Sequence, residues 1–295
     1  MASLLERLAA GEILVSDGAM GTQLMNRGLK PGESPEALNL SHPEYMTEIA
    51  QAYSAAGAHI VHTNTFGGSP MALAAYGLDD RTEEINRQAV EAARRGINEQ
   101  VLVAGSCGPS GKILVPYGDA NPEEIHAGFR RQLQALIDAG VDAITVETMT
   151  DLNEAVLAIQ AVREISSDIP VIATMTFDDT PRGFHTIMGV DIPQAVAGLS
   201  KAGADVVGSN CGDGIEKMLR LAPVLTEVSS LPVIIQSNAG LPEMTGTDLA
   251  YPESPEFFSA QVAELVTAGI AIIGGCCGTG PEHISAIRAA VDRLR

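Results

Sequence analysis

"VTAGIAII", residues 266–273, repeats a pattern also seen in "SAAGAHIV" (54–61), "IDAGVDAI" (137–144) and "SKAGADVV" (200–207). Each reads as the last turn of a helix, a glycine where a positive φ is needed, and then a short buried strand. Between these units lie strands with a different entry: "ILVSDG" (13–18), "VLVAGSCG" (101–108), "IPVIATMTF" (169–177) and "LPVIIQSNAG" (231–240). The runs are short, apolar and β-branched, as strands covered on both faces require. The segments separating them, such as "PEEIHAGFRRQLQALIDAG" and "DLNEAVLAIQAVREIS", carry helical periodicity. Eight strands joined by helices predict a (β/α)8 TIM-type barrel, a single domain over residues 1–295 with its core roughly at 12–290. The competing arrangement is a doubly wound open sheet. It is the weaker one, because the first βα turn, "DGAMGTQL", lacks G-x-G-x-x-G and nothing marks a reversal of strand order.

Composition narrows the function classes. Of 295 residues, 45% are hydrophobic but only 4% aromatic, with no Trp, so the core must be built from Ala, Val, Ile and Leu. A net charge of −19 argues against nucleic acid or an anionic membrane as partner, since phosphate binding needs a basic surface. The start, "MASLLERLAAGEILV", has Glu6, Arg7 and Glu12 breaking its apolar run and reads as a short amphipathic helix leading into a strand. No run approaches the apolar length of a membrane span. Four cysteines without a secretory signal imply a reducing cytoplasm, where clustered thiols are more often metal-binding or catalytic than paired.

In such a barrel the chemistry belongs at the C-terminal ends of the strands. Read in order, those ends are "SDGAMG", "HTNTFG", "GSCGPSG", "VETM", "MTFDD", "SNCGDG", "QSNAG" and "GGCCGTG", which collect glycines, polar groups and all four cysteines on one rim. Cys211 ends the sixth strand, while Cys276 and Cys277 end the eighth. Their distance in sequence excludes a local zinc finger, but these strand ends approach each other across the rim. Three thiolates there form a soft tripod suited to Zn²⁺ with a fourth position open. The bland alternative is a set of small buried hydrophobes, and the residues alone leave both readings standing. Cys107 reads as a packed thiol and His283 as a surface or capping residue. "GPSGKI" is no phosphate loop, since Ile113 stands where Ser or Thr is required.

Together "SDGAMGTQL", "TNTFG", "VET", "NC", "NAG" and above all "GGCCGTGPEHI" resemble the homocysteine S-methyltransferase family. The likeness is closest to the homocysteine-binding barrel of cobalamin-dependent methionine synthase. It runs from about residue 12 to 290 and keeps motif order. It implies that Cys211, Cys276 and Cys277 hold Zn²⁺ and that the substrate thiol becomes the fourth ligand. The catalytic species is then the zinc-bound substrate thiolate, with no separate protein nucleophile. By the same carry-over, Asp17 and Glu147 meet the substrate ammonium. The main-chain amides around Ala19 and Met20 serve its carboxylate, Asn64 and Phe66 shape the pocket floor, and Asn238 stands in as a ligand when no thiol is bound.

The sequence departs from the family pattern at two places beside the metal. "GDG" follows Cys211 where a Ser is usual, and Ser237 precedes Asn238 where Pro is common. The acceptor is therefore homocysteine, giving methionine, or a related thiol. The folate and cobalamin modules of full-length methionine synthase are not in this sequence. The expected methyl donor is thus a separate methyl-corrinoid protein carrying methylcobalamin, docked on long βα segments such as "GPSGKILVPYGDANPEE" and "AGLPEMTGTDLAYPESPEFF". Two alternatives are a stand-alone enzyme using S-methylmethionine or betaine, and a non-catalytic zinc- and thiol-binding subunit.

Overall fold

The computed structural model describes residues 2–245 and 248–294. Gly246 and Thr247, within the second expected docking stretch, lie outside the described residues. The barrel strands are β1 (Leu14–Val15), β2 (Ile60–His62), β3 (Leu102–Cys107), β4 (Ala143–Met149), β5 (Val171–Met175), β6 (Val206–Asn210), β7 (Val233–Ser237) and β8 (Ile272–Gly275). They form one parallel sheet in the order β1-β8-β7-β6-β5-β4-β3-β2. A parallel bridge between Ser16 and Ile60 joins β1 to β2 and closes the ring. The main chain seals this seam on both sides: His59 N–H donates to Val15 (2.7 Å) and Asp17 N–H to Ile60 (3.0 Å). The eight-stranded (β/α)8 barrel expected from the sequence is the observed fold.

The four repeated units behave as their glycines require. Gly57, Gly140, Gly203 and Gly269 take φ of 95°, 86°, 109° and 88°, a region that costs a residue with a Cβ dearly. Each therefore ends its helix at a fixed point and delivers the chain to the next strand.

Two apolar layers follow from the strand pattern. Between sheet and helices lies the large core, filled by Ala, Val, Ile and Leu with Phe129, Phe177 and Phe258. Inside the barrel, Leu14, Ile60, Leu102, Ile172, Val206, Ile234 and Ile272 converge, and Leu4 packs with them. Leu4 begins the amphipathic helix Leu4–Ala9, whose start is fixed by a capping box between Ser3 and Glu6. The N-terminal segment thus plugs the barrel floor. With the floor dry and filled, an open cavity can form only toward the opposite rim.

On that rim two antiparallel hairpins extend the loops after β5 and β7: Asp178–Thr180 with Gly183–His185, and Glu243–Thr245 with Asp248–Ala250. Sequence patterning reads both as plain loops, because three-residue strands leave almost no alternation to detect.

Candidate active site

The Sγ atoms of Cys211, Cys276 and Cys277 all lie within 4.8 Å of one another, the one His/Cys/Asp/Glu group among the described residues able to hold a metal. The backbone aims them. Cys211 takes φ 64°, one of two positive values at non-glycine residues among those described, and its N–H donates to the Gln236 carbonyl (3.0 Å). Cys276 N–H donates to Ser237 (2.7 Å), and the Cys277 carbonyl accepts from Ala239 (2.9 Å). Asn238 joins the two ligand loops: its side-chain oxygen accepts the Cys277 N–H (3.1 Å) and its NH₂ donates to the Gly212 carbonyl. Thr279 closes the turn by donating to the Cys276 carbonyl at 2.7 Å.

The glycines of "GGCCGTG" divide their work. Gly278 (φ 81°) makes the turn, and a Cβ there would sit 2.1 Å from the Tyr251 ring. Gly274 and Gly275 belong to β8, where added carbons would strike Ser16 at 2.7 Å and Thr279 at 2.1 Å. They permit close packing of the ligand strand.

The three thiols titrate as one unit. Hydrogen bonds from Cys276 and Cys277 hold Cys211 far below the ordinary thiol range, as a thiolate. Donating to that anion, with burial added, pushes Cys276 and Cys277 up. Tyr251 beside them is raised to about 12 by burial and by the neighbouring thiol charge.

The tripod lies in the wall of a cavity of about 290 Å³, lined also by Asp17, Met20, Glu36, His62, Asn64, Phe66 and Glu147. A volume near the lower end for ligand pockets suits a small molecule. Glu147 reaches it through a register shift between Val146 and Met149 in β4. Thr148, at φ 58°, is the other non-glycine residue with positive φ, and Asn210 secures it by accepting its N–H (2.8 Å) and donating to its hydroxyl (2.6 Å). Glu147 accepts from Ser106, and burial pushes its carboxyl up despite that bond.

The other expected residues are placed as follows. Ala19 spends its N–H on the Thr279 carbonyl (3.2 Å), so of that pair the amide of Met20, first in the helix Met20–Met25, has no intrahelical acceptor. Asn64 lines the cavity but ties loops together, donating to Pro35 (2.7 Å) and Asn39 (2.9 Å). Phe66 stands at the mouth, 43% exposed, against Gly108. Cys107 is fully buried, donating to Gln132 at 3.4 Å, and His283 caps the last helix by accepting from Gly280 at 3.2 Å.

Sequence reasoning passed over His62, Thr145 and Tyr251. His62 directly precedes "TNTFG" at the end of β2, and its ring bonds Asp17 at 2.7 Å and Thr145 at 3.0 Å. Its position at a strand end was the available signal.

The family profile described as Homocysteine S-methyltransferase matches residues 14–291. The chain belongs to this family. Among its relatives is a methionine synthase from Mycobacterium leprae, 32% identical over 98% of this chain and 25% of that protein. A Mycobacterium tuberculosis methionine synthase matches equally, at 32% over 96% and 25%. The chain therefore spans about a quarter of the length of these relatives. Among solved structures, the metallated homocysteine methyltransferase MmuM from Escherichia coli superposes with a TM-score of 0.80 at 26% identity, over 96% of this chain and 97% of that one. The chain thus matches family members of two different lengths. No helix among the described residues is long and apolar enough to cross a membrane.

Proposed function

We propose that this barrel is a zinc-dependent thiol S-methyltransferase that methylates homocysteine, giving methionine, with a separate methyl-corrinoid protein as donor. The carrying observation is the cysteine tripod in the wall of a small, mostly apolar cavity that also holds carboxylates. Its donor set fits zinc: three soft sulfurs on strand ends, gathered within 4.8 Å of one another, form a site that keeps one position open. Zinc held there would supply nucleophile activation, by lowering the pKa of a thiol that coordinates it, and orientation.

The chain's own residues do the rest. Cys211, Cys276 and Cys277 would hold the ion, and Asn238 keeps their two loops in register. Glu147 offers a carboxylate to the substrate ammonium, and Met20, which lines the cavity and opens a helix, offers its first-turn amide to the substrate carboxylate. The substrate sulfur attacks the methyl carbon in line and displaces the donor. Its lone pair forms the S–CH₃ bond while the donor's bond to carbon breaks with its electrons, and the thiol proton leaves to solvent.

A protein donor is supported by the rim. Phe66, Ile113, Tyr117, Ile187 and Leu241 are 43–82% exposed, on loops that follow four different strands and so belong to the same rim as the cavity. Exposed apolar groups gathered on one face favour a docked macromolecule. The second reading is a self-sufficient enzyme with a small donor, favoured by the match to MmuM over nearly its whole length.

Homocysteine is assayed with free methylcobalamin, S-methylmethionine, betaine and a methyl-corrinoid protein in turn. Turnover with the corrinoid protein alone supports the proposal, and turnover with a small sulfonium or ammonium donor selects the second reading. Cys276→Ala abolishes both stoichiometric zinc and methylation. Full transfer by that variant without zinc would overturn the mechanism.

A further inference from the structure

We propose that Lys217 is the counter-charge of the thiol site, a buried ammonium that favours the acceptor as a thiolate over its neutral, S-methylated product. The inference rests on the thiol-acceptor reading above and adds a positioning residue to it.

Lys217 lies near the start of the helix Ile215–Val228, directly after the Cys211 loop, and its side chain is 4% exposed. Its Nζ faces Asp213 of that loop at 3.4 Å and Asp178 of the hairpin after β5 at 4.0 Å. Both carboxylates stand half or more in water, so they offset only part of the cost of burying an ammonium. The other acidic groups on this side are engaged. Glu253 accepts the Ile215 N–H (3.0 Å) at the head of the same helix, and Asp179 accepts from Arg220 (2.9 Å). The remaining negative charge at this loop is that of the cysteine tripod.

The backbone brings the ammonium to it. Gly212 directly follows Cys211 at φ 78°, and a Cβ there would lie 2.9 Å from Lys217 Nζ. The Gly212 carbonyl is the one that Asn238 holds while accepting the Cys277 N–H, so Lys217 sits against the loop that unites the ligand set. The glycine where a Ser is usual has its reason here: a side chain after Cys211 would take the space left to the ammonium.

Charge decides what such a cation does. Three thiolates around a divalent ion leave one net negative charge, and a thiolate acceptor makes it two. A fixed positive charge in the protein wall stabilises the second state more than the first. Methylation turns the sulfur into a neutral thioether and removes that gain, so the cation separates acceptor from product.

The test is calorimetry on the zinc-loaded protein with homocysteine and methionine, in wild type, Lys217→Met and Lys217→Gln. Both substitutions delete the charge, and they fill its space with different chemistry. Each is expected to weaken homocysteine by about tenfold, the scale of one unit charge acting across a protein site, and to leave methionine unchanged. A merely structural role would weaken both ligands alike. Unaltered homocysteine affinity in either folded, zinc-loaded variant, or equal losses for the two ligands, overturns the proposal. Failure of wild type to bind homocysteine instead brings down the thiol-acceptor reading itself.

Discussion

The side-chain oxygen of Asn238 accepts the backbone N–H of Cys277 at 3.1 Å, and its NH₂ holds the Gly212 carbonyl on the facing loop. One amide therefore spans both halves of a ligand set contributed by β6 and β8. Such partners fix ligand orientation, and their loss commonly costs about 10- to 100-fold in metal affinity. Asn238→Ala is expected to weaken zinc by that factor with the thiols intact, measured by competition against a chromophoric chelator. Asn238→Asp removes only the donor half and should fall between.

Cys211 sits at φ 64°, where a Cβ is unfavourable by roughly 1–2 kcal/mol. Both Cys211→Ala and Cys211→Gly delete the thiolate, and both should abolish stoichiometric zinc. They should part in stability. In metal-free protein, Cys211→Gly is expected to be more stable than Cys211→Ala by about 1 kcal/mol, because only alanine keeps the strained Cβ. Urea denaturation of the two variants side by side measures the difference.

Gly278 turns the chain directly after the paired cysteines with φ 81°, and an added Cβ would lie 2.1 Å from the Tyr251 ring. Gly278→Ala therefore combines backbone strain with displacement of Tyr251 from the thiols. Its expected effects are a loss of stability of about 1–3 kcal/mol and a lowered Tyr251 pKa as the ring leaves its burial. Absorbance titration of the phenolate reads the second effect, with Tyr251→Phe as the blank.

The barrel was legible because its punctuation is local. A glycine forced to positive φ at 57, 140, 203 and 269 marks the same joint each time, and β-branched runs follow it. The tripod was legible because cysteines are few and lie at strand ends. The pairing of His62 with Asp17 and Thr145 was not, since it depends on register across strands far apart in sequence. Glu147 was named only through the family resemblance, because the bulge beside it is marked by Thr148 at φ 58°, which is neither Gly nor Asn and leaves no trace in composition. The spent amide of Ala19 was hidden likewise, because its acceptor Thr279 comes from the other end of the chain.

The His62–Asp17 pair also makes stability depend on pH. Burial alone would lower the His62 pKa, but the Asp17 charge and hydrogen bond, with Glu147 behind them, outweigh it and raise the value from 6.5 to about 9. A group raised on folding binds its proton more tightly in the native state. Its contribution is complete below the unfolded value near 6.5 and is lost as pH rises through about 9. A shift of this size corresponds to about 3 kcal/mol. Between pH 6 and pH 10 wild type should therefore lose about 3 kcal/mol more than His62→Gln, the other titrating groups being common to both proteins. Denaturant unfolding of the pair at the two pH values decides it: parallel losses would mean that His62 is neutral in the folded protein, and a larger loss in the variant would reverse the sign of the linkage.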